Sequence, residues 1–239
     1  MRTRNGHRVW RSCLLGIVFA LAPGLLAAQT GHGPFARIVL LRAREGMSAH
    51  FEAGYRRHLE WHRSNRDPWL WYGWTVVFGE RVDWFMDGTF GRSAGSLDSA
   101  IAPAADGQDV DTNVAPYAEF MSNAVYEFLP DVSKGSAEPS PSPLLELVTY
   151  DLEPGAGAAF EQALRRQNAD GSEGEWFRLV AGGPAPRYIC LRPHQNLASI
   201  ASHAWRGPST PAGVVRVTVE VLRFRPDLSL GVGVGGGRK

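Results

Sequence analysis

The stretch Leu40-Leu-Arg-Ala-Arg-Glu-Gly-Met-Ser-Ala-His-Phe-Glu-Ala-Gly-Tyr-Arg-Arg57 returns in altered form as Thr149-Tyr-Asp-Leu-Glu-Pro-Gly-Ala-Gly-Ala-Ala-Phe-Glu-Gln-Ala-Leu-Arg-Arg166. The two segments align without a gap on one glycine, one Phe-Glu pair and one Arg-Arg pair. A second similarity joins Tyr126–Ser133 to Leu222–Ser229, which share the pattern Phe-x-Pro-Asp-x-Ser. The first similarity lies near the start of each copy and the second near its end, in the same order along the chain. The sequence therefore predicts two copies of one structural unit.

Changes in composition set the boundaries of these copies. Residues 134–143 are rich in proline and serine and are typical of an extended linker. The sequence therefore predicts a first unit over 34–133 and a second over 144–230. The glycine-rich tail, 231–239, is predicted to be disordered.

Hydrophobic periodicity predicts the same order of elements in each copy. In the first copy we expect a strand (36–44), a helix (47–64), a hairpin (69–78 and 82–90), a helical region from 97 that is interrupted at Pro103 by a polar loop and resumes over 116–123, and a strand (126–129). In the second copy we expect strands at 145–152, 175–181, 186–192 and 214–224, with helices at 157–167 and 197–205.

The segment 69–78 is apolar on both of its faces. A sheet with helices on one face and water on the other should alternate, so the second face must also be covered. The simplest structure that could cover this face is the sheet of the other copy. We therefore predict an α+β fold in which two tandem ferredoxin-like (βαββαβ) repeats pack sheet to sheet.

This arrangement resembles the dimeric α/β-barrel superfamily, with both units fused in one chain. The resemblance rests on the order of elements and on the repeat, and it covers nearly all of the chain after residue 33. The superfamily includes NIPSNAP-like and antibiotic-biosynthesis-monooxygenase-like proteins, as well as haem-binding chlorite dismutases and dye-decolourising peroxidases. The resemblance therefore implies a fold but leaves the activity open.

The first 28 residues have the pattern of a secretory signal peptide. Basic residues up to Arg11 precede a short apolar run, and Ala27-Ala28 follow the breaker Pro23-Gly24. We expect this segment to be removed and the protein to be periplasmic or secreted, with no further membrane contact. Four of the 25 basic residues lie in it and none of the 24 acidic ones, so the remainder is mildly acidic and no nucleic-acid partner is expected.

Three side chains on the first predicted helix form a candidate site. Tyr55, His58 and His62 share one side, and histidines at positions i and i+4 can bind one metal ion. The pattern is not His-Glu-x-x-His, so a third ligand would have to come from elsewhere. The alternative is that these rings pack at the edge of the core.

A second candidate site lies on the strand 82–90, where Asp83 and Asp87 share one face. If that face lines the barrel, the carboxylates form an acid/base pair, and Arg187 of the second copy could meet Asp83. The alternative orientation places Trp84 and Met86 inside instead. Arg37 and Glu146 occupy matching strand positions and form a further possible pair.

Two other features favour structural interpretations. Asp109-Val-Asp-Thr-Asn113 begins like a calcium loop but lacks the later glycine and glutamate, so a turn before Pro116 is the better interpretation. Cys190 is predicted to be a buried apolar residue, and with one cysteine beyond the signal segment no intramolecular disulfide is expected. His194 and His203 are isolated.

The density of tryptophan between residues 61 and 84 favours a ligand-binding function. Pockets are often lined by aromatic side chains with few polar groups. The first hypothesis is thus a small, partly apolar ligand in an aromatic-lined barrel cavity, formed by Trp61, Trp69, Trp71, Trp74, Trp84 and Arg187. The alternatives are an oxygenase-like, haem or metal-dependent enzyme, and a structural or protein-interaction role. The sequence implies no particular cofactor, and either a monomer or a homodimer is expected.

Overall fold

The computed structural model describes residues 32–168, 174–202 and 213–233. The predicted signal peptide, residues 234–239 of the tail, and His203 lie outside them. No helix in the described part of the chain is both long enough and apolar enough to cross a membrane.

Eight antiparallel strands and five α-helices make up the described fold. The strands are β1 (His32–Ala43), β2 (Tyr72–Phe78), β3 (Phe85–Arg92), β4 (Ala118–Phe128), β5 (Leu144–Leu152), β6 (Glu175–Ala181), β7 (Arg187–His194) and β8 (Val214–Phe224). The helices are α1 (Ser48–Ser64), α2 (Ala94–Asp98), α3 (Pro103–Asn113), α4 (Gly157–Asn168) and α5 (Leu197–Ser202).

The strands close into one barrel in the order β1-β3-β2-β8-β5-β7-β6-β4. Strands β1–β4 therefore stand in the order β4-β1-β3-β2, and strands β5–β8 follow the matching order β8-β5-β7-β6. Hydrogen bonds between β2 and β8 and between β4 and β6 join the two halves at both edges. The prediction of an α+β barrel is confirmed, and the halves are joined along their edges as well as across the lumen.

Side chains from both halves fill most of the lumen. Tyr72 and Trp74 stack with ring centroids 5.4 Å apart, and Phe90 meets both rings edge-on. Phe224 and Phe177 from the second half complete this aromatic cluster. The inner face of β2 is thus covered by the other half of the chain, which explains why its sequence does not alternate.

The outer face of each half packs against its own helices. In the first half, Phe51, Tyr55 and Leu59 of α1 pack against Trp71 and Phe85. In the second half, Phe160 and Leu164 of α4 pack against Tyr150 and Trp176 in the same way. Two helix-covered cores therefore flank the central lumen.

The two Phe-x-Pro-Asp-x-Ser segments cross from one half to the other. Ser133 Oγ accepts a hydrogen bond from the Trp176 backbone N–H at 2.8 Å, and Ser229 Oγ accepts one from the Gly73 N–H at 2.9 Å. Leu228 is fully buried in the core beneath α1, and Val132 is buried in the core of the second half. Each half is thus completed by the end of the other.

Two predictions for the first half are wrong. The segment 116–123, expected to be helical, belongs largely to β4, and the expected polar loop after Pro103 is helix α3. Asp109–Asn113 consequently lies inside a helix and forms neither a calcium loop nor a turn. The segment 134–143 contains no helix or strand, but its Ser142 is buried and its Glu138 contacts Arg92 at 3.3 Å, so this linker packs against the barrel.

Candidate metal centre

Helix α1 presents two histidines on the side that faces the sheet and α3. Its stripe of Phe51, Tyr55 and Leu59 anchors this side in the apolar core. His58 and His62, one turn apart, are 5% and 1% exposed. Their Nε2 atoms lie 3.2 Å from each other.

Helix α3 supplies two carboxylates to the same place. It crosses close to α1 because Gly54 has no side chain: a Cβ atom there would lie 1.8 Å from the Asn113 carbonyl oxygen. Asp106 Oδ1 lies 3.7 Å from His58 Nε2 and 3.5 Å from His62 Nε2. Asp109 Oδ2 lies 2.8 Å from His58 Nδ1, on the other side of that ring.

Asp67 holds the second histidine from the segment that follows α1. Its Oδ2 lies 2.7 Å from His62 Nδ1 and accepts a hydrogen bond from Trp71 Nε1, while its Oδ1 accepts one from the Trp69 backbone N–H. Burial opposes ionisation of Asp67, but these hydrogen bonds outweigh it and hold its pKa below the ordinary value. Asp67 is therefore a buried carboxylate that needs its N–H donors.

The carboxylates fix the protonation pattern of both rings. A carboxylate oxygen only accepts hydrogen bonds, so His58 Nδ1, which is bonded to Asp109, carries a proton, and the close contact of Asp67 with His62 Nδ1 favours the same tautomer in His62. In neutral rings the two Nε2 atoms then carry lone pairs, and these face each other and Asp106 Oδ1. Asp106 Oδ1 is itself buried without a hydrogen-bond partner among the described residues. Three electron-pair donors thus converge where a cation would stabilise them.

The distances between these three atoms suit a metal ion. The three ligand atoms form a triangle with sides of 3.2, 3.5 and 3.7 Å. The nearest equidistant point, in the plane of the three atoms, lies about 2.0 Å from each, and an ion about 2.1 Å from each would lie outside that plane, as a four-coordinate zinc ion does. The Nδ1–carboxylate contacts behind both rings are the outer contacts that metal-bound histidines normally make.

Aromatic rings enclose the histidine pair. The Trp71 ring lies 4.2 Å from the His62 ring, and the Trp61 ring lies 5.0 Å from it. Burial lowers the pKa of His58, against the opposing hydrogen bond with Asp109. The surroundings thus favour the neutral, metal-binding form of His58.

Asp87 and Tyr55 form a second buried polar pair beside this cluster. Burial raises the pKa of Asp87 to about 6, against the opposing effects of the Arg37 charge and the nearby Tyr55 hydroxyl. Burial also raises the pKa of Tyr55 well above its ordinary value, and the charge of Asp87 adds to this. Asp87 therefore faces α1 rather than the lumen.

The predicted aspartate pair does not form. Asp83 lies in the β2–β3 turn with a positive φ of 67° and is exposed, because β3 begins only at Phe85. Met86 and Phe90 occupy the inner face of β3 instead. Arg187 contacts Asp151 at 2.6 Å rather than Asp83.

The expected pairing of Arg37 with Glu146 is also wrong. Arg37 donates from Nε to Asn123 Oδ1 at 3.0 Å. Glu146 contacts Arg192 and His194 at 3.1 and 3.4 Å on the helix-covered face of the second half. Cys190 is buried, as predicted.

The five tryptophans do not line one cavity. Trp61, Trp69 and Trp71 surround or support the histidine pair, whereas Trp74 belongs to the aromatic cluster of the lumen. Trp84 is partly buried, with the Arg42 guanidinium 5.9 Å from the centre of its ring. The cavity inside the barrel is lined by none of these five tryptophans.

Sequence reasoning missed three carboxylates of this cluster. The local sequence gives no signal for Asp67, and Asp109 was expected to lie in a turn. Asp106 and Asp109 stand three residues apart after Pro103, which is a favoured first residue of a helix. Pro103 could therefore have indicated a helix that carries both aspartates. However, α3 has few apolar residues, so its sequence shows little helical periodicity.

Comparison with known proteins supports the fold. No protein-family model matches the sequence, and no curated protein matches it. Solved structures do: a candidate monooxygenase from Lactobacillus acidophilus has 14% identity and a TM-score of 0.54, covering 84% of this chain and 97% of its own. An anthrone oxidase-like protein has 11% identity and a TM-score of 0.53, covering 87% and 96%. Chlorite dismutase from Candidatus Nitrospira defluvii has 7% identity and a TM-score of 0.52, covering 85% and 96%.

These neighbours belong to the dimeric α/β-barrel superfamily. At such low identity the likeness concerns the fold alone, so the chemistry must be argued from the residues of this chain.

Proposed function

We propose that this protein is a metal-dependent enzyme whose mononuclear centre is formed by His58, His62 and Asp106. The observation that carries the proposal is the convergence of two histidine Nε2 atoms and one buried, unpartnered carboxylate oxygen on a single point. Three protein ligands leave one position for water or substrate, which is typical of a catalytic rather than a structural zinc site. Asp106 is 25% exposed, so substrate would reach the ion from its side.

The spacing of the ligand atoms favours a four-coordinate ion. Adjacent ligands of an octahedral ion are about 3.0 Å apart, and those of a tetrahedral ion about 3.4 Å. The observed separations of 3.2, 3.5 and 3.7 Å average about 3.5 Å, which is nearer the tetrahedral value. A zinc-like ion there would lower the pKa of bound water or polarise a substrate carbonyl.

Two histidines and one carboxylate also form the ligand set of non-haem iron oxygenases. The names of two structural neighbours, a candidate monooxygenase and an anthrone oxidase-like protein, fit this second kind of chemistry. Zinc-type and iron-type chemistry at one centre can therefore be distinguished by loading the protein with different metal ions.

Haem fits the described residues poorly. Both ring nitrogens of His58 and of His62 already face a carboxylate or another histidine, and aromatic side chains fill the space beneath α1. The cavity in the barrel, about 220 Å³, is smaller than the roughly 300–1,000 Å³ of sites for drug-sized molecules.

A second proposed function is the binding of a small, partly apolar molecule inside the barrel. Its support is this cavity at one end of the lumen, lined by side chains of both halves. It lies across the sheet from the histidine cluster, so the two functions are independent.

Two properties of the whole chain are proposed alongside these functions. Matching strand orders and reciprocal end segments support two fused ferredoxin-like units. The signal-like pattern of residues 1–28 supports export to the periplasm or beyond.

The test is metal binding by the purified protein after treatment with a chelator. Elemental analysis should show one Zn²⁺ or Co²⁺ per chain, and Co²⁺ should give the intense visible bands of a four-coordinate ion. Weak Co²⁺ bands, together with oxygen consumption by the Fe²⁺-loaded protein, would favour the oxygenase chemistry. Binding of none of these ions would sink the proposal and leave a histidine pair that shares a proton.

Matched variants separate this site from adventitious binding. Asp106→Asn should weaken binding strongly, whereas Asp111→Asn, at an exposed position of the same helix, should leave it unchanged. His62→Ala and His50→Ala form the equivalent pair on α1, since His50 is exposed.

A further inference from the structure

The cavity at one end of the barrel has an apolar inner part. Ile38, Met86, Leu147 and Ile189 line it and are at most 5% exposed. The aromatic cluster around Trp74 fills the neighbouring part of the lumen. The cavity therefore has space for several waters or for one small molecule of about ten non-hydrogen atoms.

The mouth of the cavity carries charges and hydroxyl groups. Three arginines, Arg81, Arg187 and Arg216, line it together with Glu80 and Asp151. The lining also includes four residues with hydroxyl groups, Thr149, Thr218, Ser122 and Tyr126. A ligand that fits both zones needs a polar head and an apolar body.

The three arginines differ in how firmly they are held. Arg81 is fixed from behind by Glu220, a buried residue that bonds its Nε through both carboxylate oxygens at 3.0 Å. Arg187 uses its Nε for Asp151 at 2.6 Å and lies near the Tyr126 hydroxyl. Arg216 pairs with Glu80, and both side chains are more than half exposed.

This arrangement leaves a place for an incoming anion. An exposed ion pair contributes little to stability, so an anion can replace Glu80 at Arg216 at small cost. The terminal nitrogens of a guanidinium match the two oxygens of a carboxylate. Arg187 and Arg216 therefore offer donors at the mouth, directly above the apolar zone.

We infer that this cavity binds a small organic carboxylate, with its apolar tail in the lumen and its head group at Arg187 and Arg216. The inference rests on the second proposed function and names the ligand class for it. It does not depend on a metal at His58 and His62.

The test is a titration of the full protein with hexanoate, followed by nuclear magnetic resonance or calorimetry. Hexanoate should bind about tenfold more tightly than the neutral analogue hexanol, because charge-assisted hydrogen bonds form only with the carboxylate. Arg187→Gln and Arg216→Gln should each remove most of this preference. Arg165→Gln, at an exposed position of α4, should leave it unchanged.

The possible outcomes distinguish the carboxylate inference from the proposal that the barrel binds a small molecule. Equal binding of hexanoate and hexanol, unaffected by either arginine variant, would overturn the inference but keep the barrel as a binding site. Binding of neither compound would overturn both. Should Arg187→Gln fail to fold, Arg216→Gln decides the matter, since that side chain is 55% exposed. Loss of binding of both ligands in Ile189→Trp, which fills the apolar zone, would place them in the lumen.

Discussion

Asp67 is the residue that connects the histidine pair to the start of β2. It follows α1, accepts the Trp69 N–H and the Trp71 indole N–H, and contacts His62 Nδ1, all within a side chain that is 2% exposed. A single carboxylate thus sets the ring orientation of one proposed ligand. Such outer contacts are as much a part of a metal site as the ligands themselves.

We predict that Asp67→Asn weakens metal binding by about 10- to 100-fold, which is the usual effect of removing an outer-shell partner of a metal-bound histidine. The amide removes the negative charge that favours the Nδ1–H form of His62. A competition titration with a chromophoric chelator measures the change, with Asp111→Asn as the control. An unchanged affinity would show that Asp67 supports only the fold.

Glu175 provides a prediction at the residue scale that is independent of the metal. Its Oε2 atom is buried without a hydrogen-bond partner among the described residues, and burial raises its pKa to about 7. The folded state therefore binds this proton more tightly than the unfolded state, whose glutamate titrates near 4.5. Stability from this group is present at low pH and is lost as the pH rises from about 4.5 to about 7.

Glu175→Gln should remove this decrease in folding stability at higher pH. Relative to wild type, the variant is expected to gain up to about 3 kcal/mol between pH 4.5 and pH 8, because a shift of one pKa unit corresponds to about 1.4 kcal/mol. Urea unfolding at the two pH values measures it. Glu153→Gln, at an exposed position, is the control and should leave the pH dependence as in wild type.

At the scale of elements, the approach of α1 to α3 decides whether the site exists. The histidines lie on one helix and Asp106 and Asp109 on the other, so their distances depend on how closely the helices pack. Gly54 permits this contact against the carbonyl of Asn113. Gly107, in contrast, points into open space on α3.

We therefore predict opposite effects for two glycine-to-alanine substitutions. Gly54→Ala should push the helices apart, lowering both the melting temperature and the metal affinity. Gly107→Ala should keep the affinity and raise stability by about 0.5–1 kcal/mol, since alanine favours a helix. Thermal melts of the two variants with and without Zn²⁺ measure these effects. An equal metal affinity in the two variants would contradict the proposed role of the α1–α3 contact.

The crossing end segment is a second feature at this scale. Leu228 has no exposed surface and completes the core under α1, although it lies at the far end of the chain. Leu228→Ala should cost about 2–5 kcal/mol, as expected for truncation of a buried leucine. Denaturant unfolding measures it. Leu197→Ala, at a position that is 49% exposed, should cost much less.

At the scale of the whole molecule, neither half has a complete set of partners alone. Without the second half, β2 and β4 would each lose a neighbouring strand, and the first core would lose Leu228. Exposed strand edges and an open apolar face favour association. Residues 32–133 expressed alone should therefore form dimers or aggregates, as measured by light scattering and amide exchange. A stable folded monomer of this half would contradict the interlocked arrangement.

The sequence alone determined the α+β class, the order of most elements and the position of the two histidines on one helix face. These features follow from local periodicity, from turn residues and from the similarity of two segments, all of which can be read directly from the sequence. The apolar faces of 69–78 also indicated correctly that the inner side of the sheet is covered.

Only the tertiary structure decided which face of β3 is inside and what stands beside the histidines. Strand alternation gives a period but no direction, so Asp87 could be assigned to the lumen although it faces α1. Asp67, Asp106 and Asp109 meet the histidine pair through the packing of α3 on α1, a contact between distant segments that no local pattern records. The ligand set is thus a product of helix packing, whereas the fold is a product of sequence pattern.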